Sequence, residues 1–287
     1  MSTDYTSKLA IGTVQLGLSY GYSNLYGQTS EAEAKEILDL AAASGIDMLD
    51  TAYLYGNSEE VVGKLAKGRF KIVSKWPAPD ANNKLKDYLN LSLSRLQVSE
   101  LYGWMSHRPD EMILFPKLHQ EVIQFKNSGI IKNWGYSVYQ TEQLHRLIDC
   151  FGYPDLVQLP YNLIDRRFEA MLPELYANGV SVHVRSAFFQ GLLLMKTDEL
   201  DSFFNPIKTW LTDFHQANPS EEQKISACLN FCLRNDDIDR VVMGLNKAEQ
   251  LDFNLKALAI DFNLPDLLPN NLPEEIINPS FWPQRNV

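Results

Sequence analysis

Short apolar runs alternate with longer amphipathic segments along most of the chain. Short apolar runs bounded by turn residues are typical of buried strands, and apolar residues that recur every three or four positions are typical of helices. These patterns predict eight strands, at residues 9–12, 46–50, 71–75, 101–107, 132–137, 155–159, 180–186 and 239–243. Strands that alternate with helices indicate a parallel sheet with right-handed crossovers.

Residues that typically begin and end helices occur in the intervening segments and support this pattern. Ser30 and Glu33 have the spacing of a capping box, in which two side chains satisfy free amides at a helix start. Gly45 follows the apolar face of that segment and supplies the left-handed residue that ends it. Further helices are predicted at residues 116–128, 166–178, 221–233 and 247–259.

The chain has 287 residues, and a (β/α)8 barrel typically needs about 250. An open doubly wound sheet is the alternative, but eight similar units without a break in composition favour closure. We therefore predict a single (β/α)8 barrel domain over residues 1–287 that ends in a C-terminal tail. Residues 187–206 are predicted to form a long loop. The proline-rich tail, 262–287, is predicted to cross the surface without regular structure.

Composition narrows the possible partners. The formal net charge of −10 disfavours nucleic acid and anionic membrane surfaces. No apolar run is long enough for a spanning helix, and the N-terminus does not resemble a signal peptide. Three cysteines without regular spacing and five scattered histidines indicate neither a disulfide framework nor a metal site. A cytoplasmic location follows as the default.

Four polar side chains come at or just after the ends of neighbouring predicted strands: Asp50, Tyr55, Lys75 and His107. The C-terminal ends of barrel strands form the active face of this fold. Each residue alone has an ordinary structural explanation, as a turn, packing, surface or core residue. Together on one rim they are typical of a coupled proton-transfer group, in which Asp holds Lys charged and Lys favours tyrosinate.

The motifs around these residues occur in a recognisable order. They are Ile11-Gly12-Thr13-Val14-Gln15-Leu16-Gly17, Asp50-Thr51-Ala52-x-x-Tyr55-Gly56-x-Ser58-Glu59, Lys75, His107-Arg108-Pro109-Asp110, Gly135-Tyr136-Ser137, Val157-Gln158-Leu159-Pro160-Tyr161-Asn162, Gln190-Gly191-Leu192-Leu193, Gly244, Glu249-Gln250-Leu251 and Asn254. In this order they resemble the aldo-keto reductase family over roughly residues 9–258. No G-x-G-x-x-G motif follows a strand, so a Rossmann domain is not indicated.

The resemblance implies a (β/α)8 barrel that reduces a small aldehyde or ketone with a nicotinamide cofactor. Tyr55 would be the general acid, with its pKa lowered by Lys75. Asp50 would pair with Lys75, and His107 would orient the carbonyl or pass the proton. Without such tuning a tyrosine titrates near ~10, too high for acid and base chemistry at neutral pH.

The resemblance also implies cofactor contacts at Gly12, Thr13, Ser137, Gln158, Arg185, Gln190, Gly244, Lys247, Gln250 and Asn254. Many relatives have Ser-Asn on the fifth strand, whereas this chain has Ser137-Val138. Arg185 is near the position of an aromatic ring in many relatives; it could stack on nicotinamide, bind an anionic substrate or form a structural ion pair. Lys247 is the only cation in 244–254 that could meet a 2′-phosphate. NADP(H) is therefore favoured and NAD(H) is not excluded.

The substrate is less clearly indicated. Tyr20 and Trp76 are candidate lining residues, and a sugar-derived carbonyl is a further expectation from the resemblance. Two other functions stay open: a nicotinamide-binding regulatory or sensor protein with slow turnover, and a barrel isomerase or aldolase that uses Lys75 as a Schiff base. The neighbouring Asp50 disfavours the last because it keeps the amine protonated.

Overall fold

Eight parallel strands close into a barrel in the computed structural model of the chain. The structure describes residues 5–79, 84–264 and 272–283. The strands are β1 (Leu9–Gly12), β2 (Met48–Asp50), β3 (Lys71–Trp76), β4 (Leu101–Ser106), β5 (Ile131–Ser137), β6 (Leu156–Pro160), β7 (Ser181–Arg185) and β8 (Arg240–Gly244). Each strand pairs with its sequence neighbours, and β1 also pairs with β8. The predicted (β/α)8 barrel is confirmed.

Helices follow or flank these strands. They are α1 (Val14–Gly17), α2 (Glu31–Ala43), α3 (Ser58–Ala66), α4 (Leu85–Leu96), α5 (Asp110–Leu114), α6 (Lys117–Asn127), α7 (Thr141–Phe151), α8 (Leu172–Ala177), α9 (Asn205–Ala217), α10 (Glu221–Leu233), α11 (Ala248–Ala257) and α12 (Glu274–Ile277). The helix predicted at 166–178 is shorter than expected, because a 3-10 turn at Glu169–Met171 precedes α8.

The capping box predicted at the start of α2 is only half formed. The Ser30 hydroxyl accepts a hydrogen bond from the Glu33 amide at 3.2 Å, and Gly45 has the expected positive φ of 80°. The Glu33 carboxylate does not return to Ser30. Its Oε1 instead accepts a hydrogen bond from the Ala248 amide at the start of α11, at 2.6 Å. A carboxylate of α2 therefore caps α11.

Apolar side chains fill the lower part of the barrel interior. This layer comprises Ala10, Met48, Val73, Met105, Leu156 and Val242. A larger apolar layer lies between the strands and the helices, and both layers are almost completely buried. Because the interior is closed below, only the C-terminal ends of the strands are left to form a cavity.

Two regions differ from the sequence prediction. The predicted loop at 187–206 contains 3-10 turns at Leu192–Leu194 and Ser202–Phe204, and the unpredicted helix α9 begins at Asn205. The tail was predicted to lack regular structure, yet 272–283 contains α12 and a 3-10 turn at Pro279–Phe281. Residues 265–271 and 284–287 of the tail lie outside the described residues. Trp282 packs its ring edge-on against Tyr22, Phe189 and Phe204, so apolar burial holds this segment on the barrel.

No strand precedes β1 in the described chain; residues 6–8 form a 3-10 turn. The described segment between residue 5 and β1 therefore contains no hairpin. The Lys8 ammonium donates hydrogen bonds to the carbonyl oxygens of Leu233 and Asn235, in the segment that leads from α10 to the neighbouring strand β8. The feature concerns the N-terminal face of the barrel, which is remote from the strand ends that form the cavity.

Candidate active site

A buried ion pair joins the ends of β2 and β3. Lys75 Nζ lies 2.6 Å from Asp50 Oδ1 and donates a second hydrogen bond to the Thr51 carbonyl at 3.0 Å. The other Asp50 oxygen accepts a hydrogen bond from Gln158 Nε2 on β6 at 2.7 Å. Burial lowers the pKa of Lys75 below its ordinary value, and the attraction to Asp50 opposes that shift. Both carboxylate oxygens are thus occupied, which fixes the position of the pair.

Two glycines position Tyr55 beside this pair. A Cβ on Gly17 would lie 1.8 Å from the Tyr55 carbonyl oxygen, and one on Gly56 would lie 2.3 Å from the Gly17 carbonyl oxygen. Gly56 also has a positive φ of 57°. Ser58 closes the same contact, because its hydroxyl donates to the Thr13 carbonyl at 2.7 Å. Most of the motif after β2 therefore serves to pack the Tyr55 turn against the end of β1.

Tyr55, Lys75 and His107 lie within a few ångströms of one another. Lys75 Nζ is 5.3 Å from the centre of the Tyr55 ring, and the Tyr55 and His107 rings are 5.8 Å apart in an edge-to-face arrangement. The His107 amide donates to the Trp76 carbonyl at 3.0 Å, which joins the ends of β4 and β3. Three neighbouring strands thus bring the four predicted catalytic residues together.

The protonation of Tyr55 differs from the sequence expectation. Burial raises the pKa of Tyr55 above its ordinary value, and the charge of Asp50 raises it further, while Arg185 lowers it. Lys75 was expected to lower this pKa, but its charge is matched by Asp50 at 2.6 Å. Burial also lowers the pKa of His107 to about 3, with smaller effects from Lys75 and Arg185. Both groups are therefore neutral at neutral pH: a phenol and an uncharged imidazole.

These residues border a cavity of about 510 Å³ at the C-terminal ends of the strands. Asp50, Tyr55 and His107 line it, while Lys75 is completely buried behind Asp50. The lining continues away from Tyr55 to α10 and α11, where Glu221, Glu249, Gln250 and Asn254 contribute. The cavity therefore connects a reaction end at Tyr55 with a distal end at α11.

Arg185 lies at the reaction end of the cavity. Its guanidinium is 4.2 Å from the centre of the Tyr139 ring, and Nη2 donates to the Val138 carbonyl at 3.2 Å. Among the residues that the structure describes, no carboxylate forms an ion pair with it. A structural ion pair, one of the three roles considered from the sequence, is therefore not observed. The half-buried charge is available to an anion or to a planar ligand.

Comparison with known proteins agrees with this architecture. A profile of the Aldo/keto reductase family matches residues 8–266. The chain belongs to the aldo-keto reductase family. The sequence of Aldo-keto reductase YhdN from Bacillus subtilis is 28% identical over 214 residues, which cover 69% of this chain and 63% of that protein. L-glyceraldehyde 3-phosphate reductase from Escherichia coli is 25% identical, with 88% and 85% of the two chains covered.

A solved structure supports the same fold. The holo form of aldo-keto reductase AKR11C1 from Bacillus halodurans superposes with a TM-score of 0.70 and is 24% identical in sequence. The match covers 89% of this aldo-keto reductase and 88% of the other chain. The comparisons thus establish an oxidoreductase fold and family; they assign no role to individual residues.

The structure places most of the predicted binding residues on the cavity wall. All predicted cofactor residues line it except Lys247, whose Nζ lies 4.4 Å from the centre of the Tyr26 ring. Of the two predicted substrate residues, Tyr20 lines the cavity. Trp76 does not, because its side chain is 1% exposed and packs 4.4 Å from the Trp104 ring. Trp76 is the last residue of β3, and its indole faces the helix layer rather than the cavity.

Several cavity residues were not predicted from the sequence: Gln15, Tyr139, Asn246 and Glu249 among others. Tyr139 could have been found, since it lies two residues after Ser137, and alternate residues of an extended segment face the same side. Val138 between them is completely buried in the helix layer. Its side chain therefore cannot replace the polar contact that an asparagine would make at this position. Glu249 carried no signal beyond its motif position.

Two features of the cavity wall would fit a bound ligand such as the nicotinamide cofactors that this family generally binds. Gln15 lines it, and its buried Oε1 has no hydrogen-bond partner among the described residues. An unpaired buried acceptor costs about 1–3 kcal/mol, which a ligand donor would recover. Gly244 leaves the wall open beside it, since a Cβ there would lie 2.6 Å from Gln15 Nε2. Within the described residues, no cluster of His, Cys, Asp or Glu could hold a metal ion, and no helix is long and apolar enough to cross a membrane.

Proposed function

We propose that this aldo-keto reductase uses a nicotinamide dinucleotide to reduce a small aldehyde or ketone to an alcohol, with Tyr55 as general acid. The observation that carries the proposal is the set formed by Tyr55, neutral His107 and the Asp50–Lys75 pair at the reaction end of the cavity. Family membership supports the class of reaction. The bound dinucleotide supplies the hydride.

The protonation states favour the reductive direction. A phenol whose pKa is raised is fully protonated at neutral pH, which is the form that can donate a proton to a carbonyl oxygen. The oxidative direction needs tyrosinate as base, and burial disfavours that form. Neutral His107 lines the cavity, and a neutral imidazole carries one N–H that can donate a hydrogen bond to the same oxygen.

The Asp50–Lys75 pair is proposed to position the acid. Lys75 cannot reach the cavity itself, because its side chain is completely buried. Its ammonium lies 5.3 Å from the centre of the Tyr55 ring, so the ion pair packs beside the phenol. Asp50 keeps that ammonium in place through a 2.6 Å contact. The pair is therefore proposed to act through Tyr55.

Arg185 supports a substrate that carries an anionic group. It is the only Lys or Arg among the described cavity-lining residues, and it has no carboxylate partner there. Guanidinium groups bind carboxylates and phosphates through two parallel hydrogen bonds. A relative acts, by its name, on a phosphorylated aldehyde sugar. We therefore propose a sugar-derived carbonyl with a carboxylate or phosphate as the substrate class.

The form of the cofactor is a separate question. The sequence favoured NADPH through Lys247, but Lys247 lies over Tyr26 and does not line the cavity. Tyr26 itself lines the cavity, so Lys247 lies beside its wall and the contact of Lys247 with a 2′-phosphate stays a prediction. We also propose a cytoplasmic location, which the free thiols of Cys150, Cys228 and Cys232 support.

The experiment is a carbonyl panel assayed with NADH and with NADPH, followed by nucleotide absorbance. The panel spans neutral sugars, sugar phosphates, keto acids and aromatic aldehydes. Turnover of at least one carbonyl that depends on Tyr55 supports the proposal. Tight nucleotide binding without turnover of any carbonyl would indicate the sensor function instead. A protein that binds neither nucleotide and turns over no carbonyl would contradict both functions.

A further inference from the structure

Charge is distributed unequally along the cavity. Arg185, the only Lys or Arg among its described lining residues, lies at the reaction end beside Tyr139. The acidic lining residues other than Asp50 are Glu221 at the start of α10 and Glu249 in the first turn of α11. A dinucleotide whose nicotinamide lies at Tyr55 must extend its adenosine toward α11. The adenosine would therefore meet acidic side chains.

The N-terminus of α11 is already occupied by protein acceptors. The amides at a helix start form a favourable site for phosphate when they are free. Here the Ala248 amide donates to the Glu33 carboxylate at 2.6 Å. The amides of Asn246 and Lys247 donate to Gln250 Oε1 at 2.8 and 3.2 Å. A phosphate at this position would compete with a carboxylate that is held in place.

Lys247, the cation at the start of α11, lies outside the cavity lining. Lys247 is the N-cap residue of α11, and its ammonium lies 4.4 Å from the Tyr26 ring centre. Arg185 also lies over a tyrosine ring, but it lines the cavity, whereas Lys247 does not. On the neighbouring helices, Lys35 and Lys64 are paired with Asp39 and Glu31. Among the described residues, Glu221 and Glu249 thus line the distal end, Glu33 caps α11 beside it, and Lys247 is the cation at the start of that helix.

We propose that the distal end selects NADH over NADPH, and that Glu33 and Glu249 are its specificity-determining residues. The inference rests on the proposed function, which supplies the cofactor and its direction. The 2′-hydroxyl of NADH is a hydrogen-bond donor that a carboxylate can accept, as acidic residues do in other NAD sites. The 2′-phosphate of NADPH has no donor hydrogen at neutral pH and adds negative charge beside carboxylates.

The test measures direct binding, without a carbonyl substrate. Fluorescence titrations of the wild-type protein with NADH and NADPH give the two dissociation constants. We expect NADH to bind about tenfold more tightly or better, which corresponds to about 1.4 kcal/mol. Raised salt should narrow the difference, because it screens charges near the surface.

Variants identify the cause. Glu33→Gln keeps an oxygen that can accept the Ala248 amide and removes only the charge, so α11 should remain capped. Combined with Glu249→Gln, it should tighten NADPH binding several-fold and leave NADH equal or weaker. The matched control is Glu36→Gln, which removes the same charge from an exposed position of α2 and should change neither constant. Far-UV circular dichroism checks that each variant is folded.

Two results would overturn the inference: wild-type protein that binds NADPH as tightly as NADH, or a double variant with an unchanged ratio of constants. In both cases carbonyl reduction with NADPH would leave the proposed function intact. If neither nucleotide binds the wild-type protein, the proposed function itself fails and the selectivity inference fails with it. Measuring both nucleotide binding and carbonyl turnover therefore distinguishes a failure of the NADH selectivity from a failure of the proposed function.

Discussion

Tyr55→Phe tests the proposed acid with a minimal perturbation. No hydrogen bond joins the Tyr55 hydroxyl to another described residue, so removing the oxygen breaks no protein contact that holds the fold. The ring still packs edge-on beside His107, and the backbone contact between Tyr55 and Gly17 is unaffected. General acid catalysis contributes about 10²–10⁴-fold, so kcat should fall by that factor. This equals about 2.7–5.4 kcal/mol of lost transition-state stabilisation.

The assay is single-turnover oxidation of the bound nucleotide by the best carbonyl of the panel, with a binding titration on each variant. Nucleotide affinity should hold, because the lost interaction is made in the transition state. Tyr53→Phe is the matched control: it lies on the same loop, but its ring packs on Tyr88 and Arg95 outside the cavity. A Tyr55→Phe variant that keeps more than about half of the wild-type rate would refute the assignment, since that loss lies far below the general-acid range.

Three further predictions follow from the same geometry. Arg185→Leu should raise KM for carboxylated or phosphorylated carbonyls by about 10–100-fold, as expected for a charged hydrogen bond, and spare neutral ones; weaker nucleotide binding with every substrate would instead place the guanidinium against the nicotinamide. Gly17→Ala should reduce both turnover and stability, because its Cβ would lie 1.8 Å from the Tyr55 carbonyl oxygen and must displace the turn; unchanged kinetics would contradict the positioning argument. Burial lowers the pKa of His183 from 6.5 to about 3, so the unfolded chain binds a proton that the folded chain rejects, and the free energy of unfolding should fall as pH drops through that window. His183→Met should flatten this fall between about pH 6.5 and 5 by up to about 1.4 kcal/mol per pH unit in urea titrations, and an unchanged slope would show that other groups cause it.

The barrel could be predicted because buried parallel strands leave a strong local signal. Strands such as β4 and β7 are apolar runs bounded by turn residues, and their boundaries agree with the prediction to within about one residue at most ends. The packed tail was missed for the opposite reason. Its prolines indicated an irregular segment, but Ile276, 2% exposed, and Trp282 are held by residues that are distant in sequence. Local patterns do not contain that information.

In the candidate site too, some features could be predicted from the sequence and others depend on residues distant along the chain. The rim residues Asp50, Tyr55 and His107 could be placed on one cavity because strand ends of a closed barrel converge. The direction of the Tyr55 pKa shift could not be predicted, because it depends on whether Asp50, at 2.6 Å, neutralises the charge of Lys75. Glu33 is the clearest case. Its sequence spacing predicts a local cap on Ser30, whereas its carboxylate contacts Ala248, 215 positions away along the chain.

The charges at the reaction end support the proposed reduction of anionic carbonyls. Lys75 and Asp50 form a pair with no net charge, His107 and Tyr55 are neutral, and Arg185 remains as the uncompensated cation. A carbonyl oxygen gains negative charge as hydride arrives, and a fixed positive charge in a partly buried site stabilises it without reorganisation. The same cation attracts a substrate carboxylate or phosphate before reaction. The acidic distal end cannot serve that purpose, so we infer that substrate anion and adenosine approach the cavity from opposite ends.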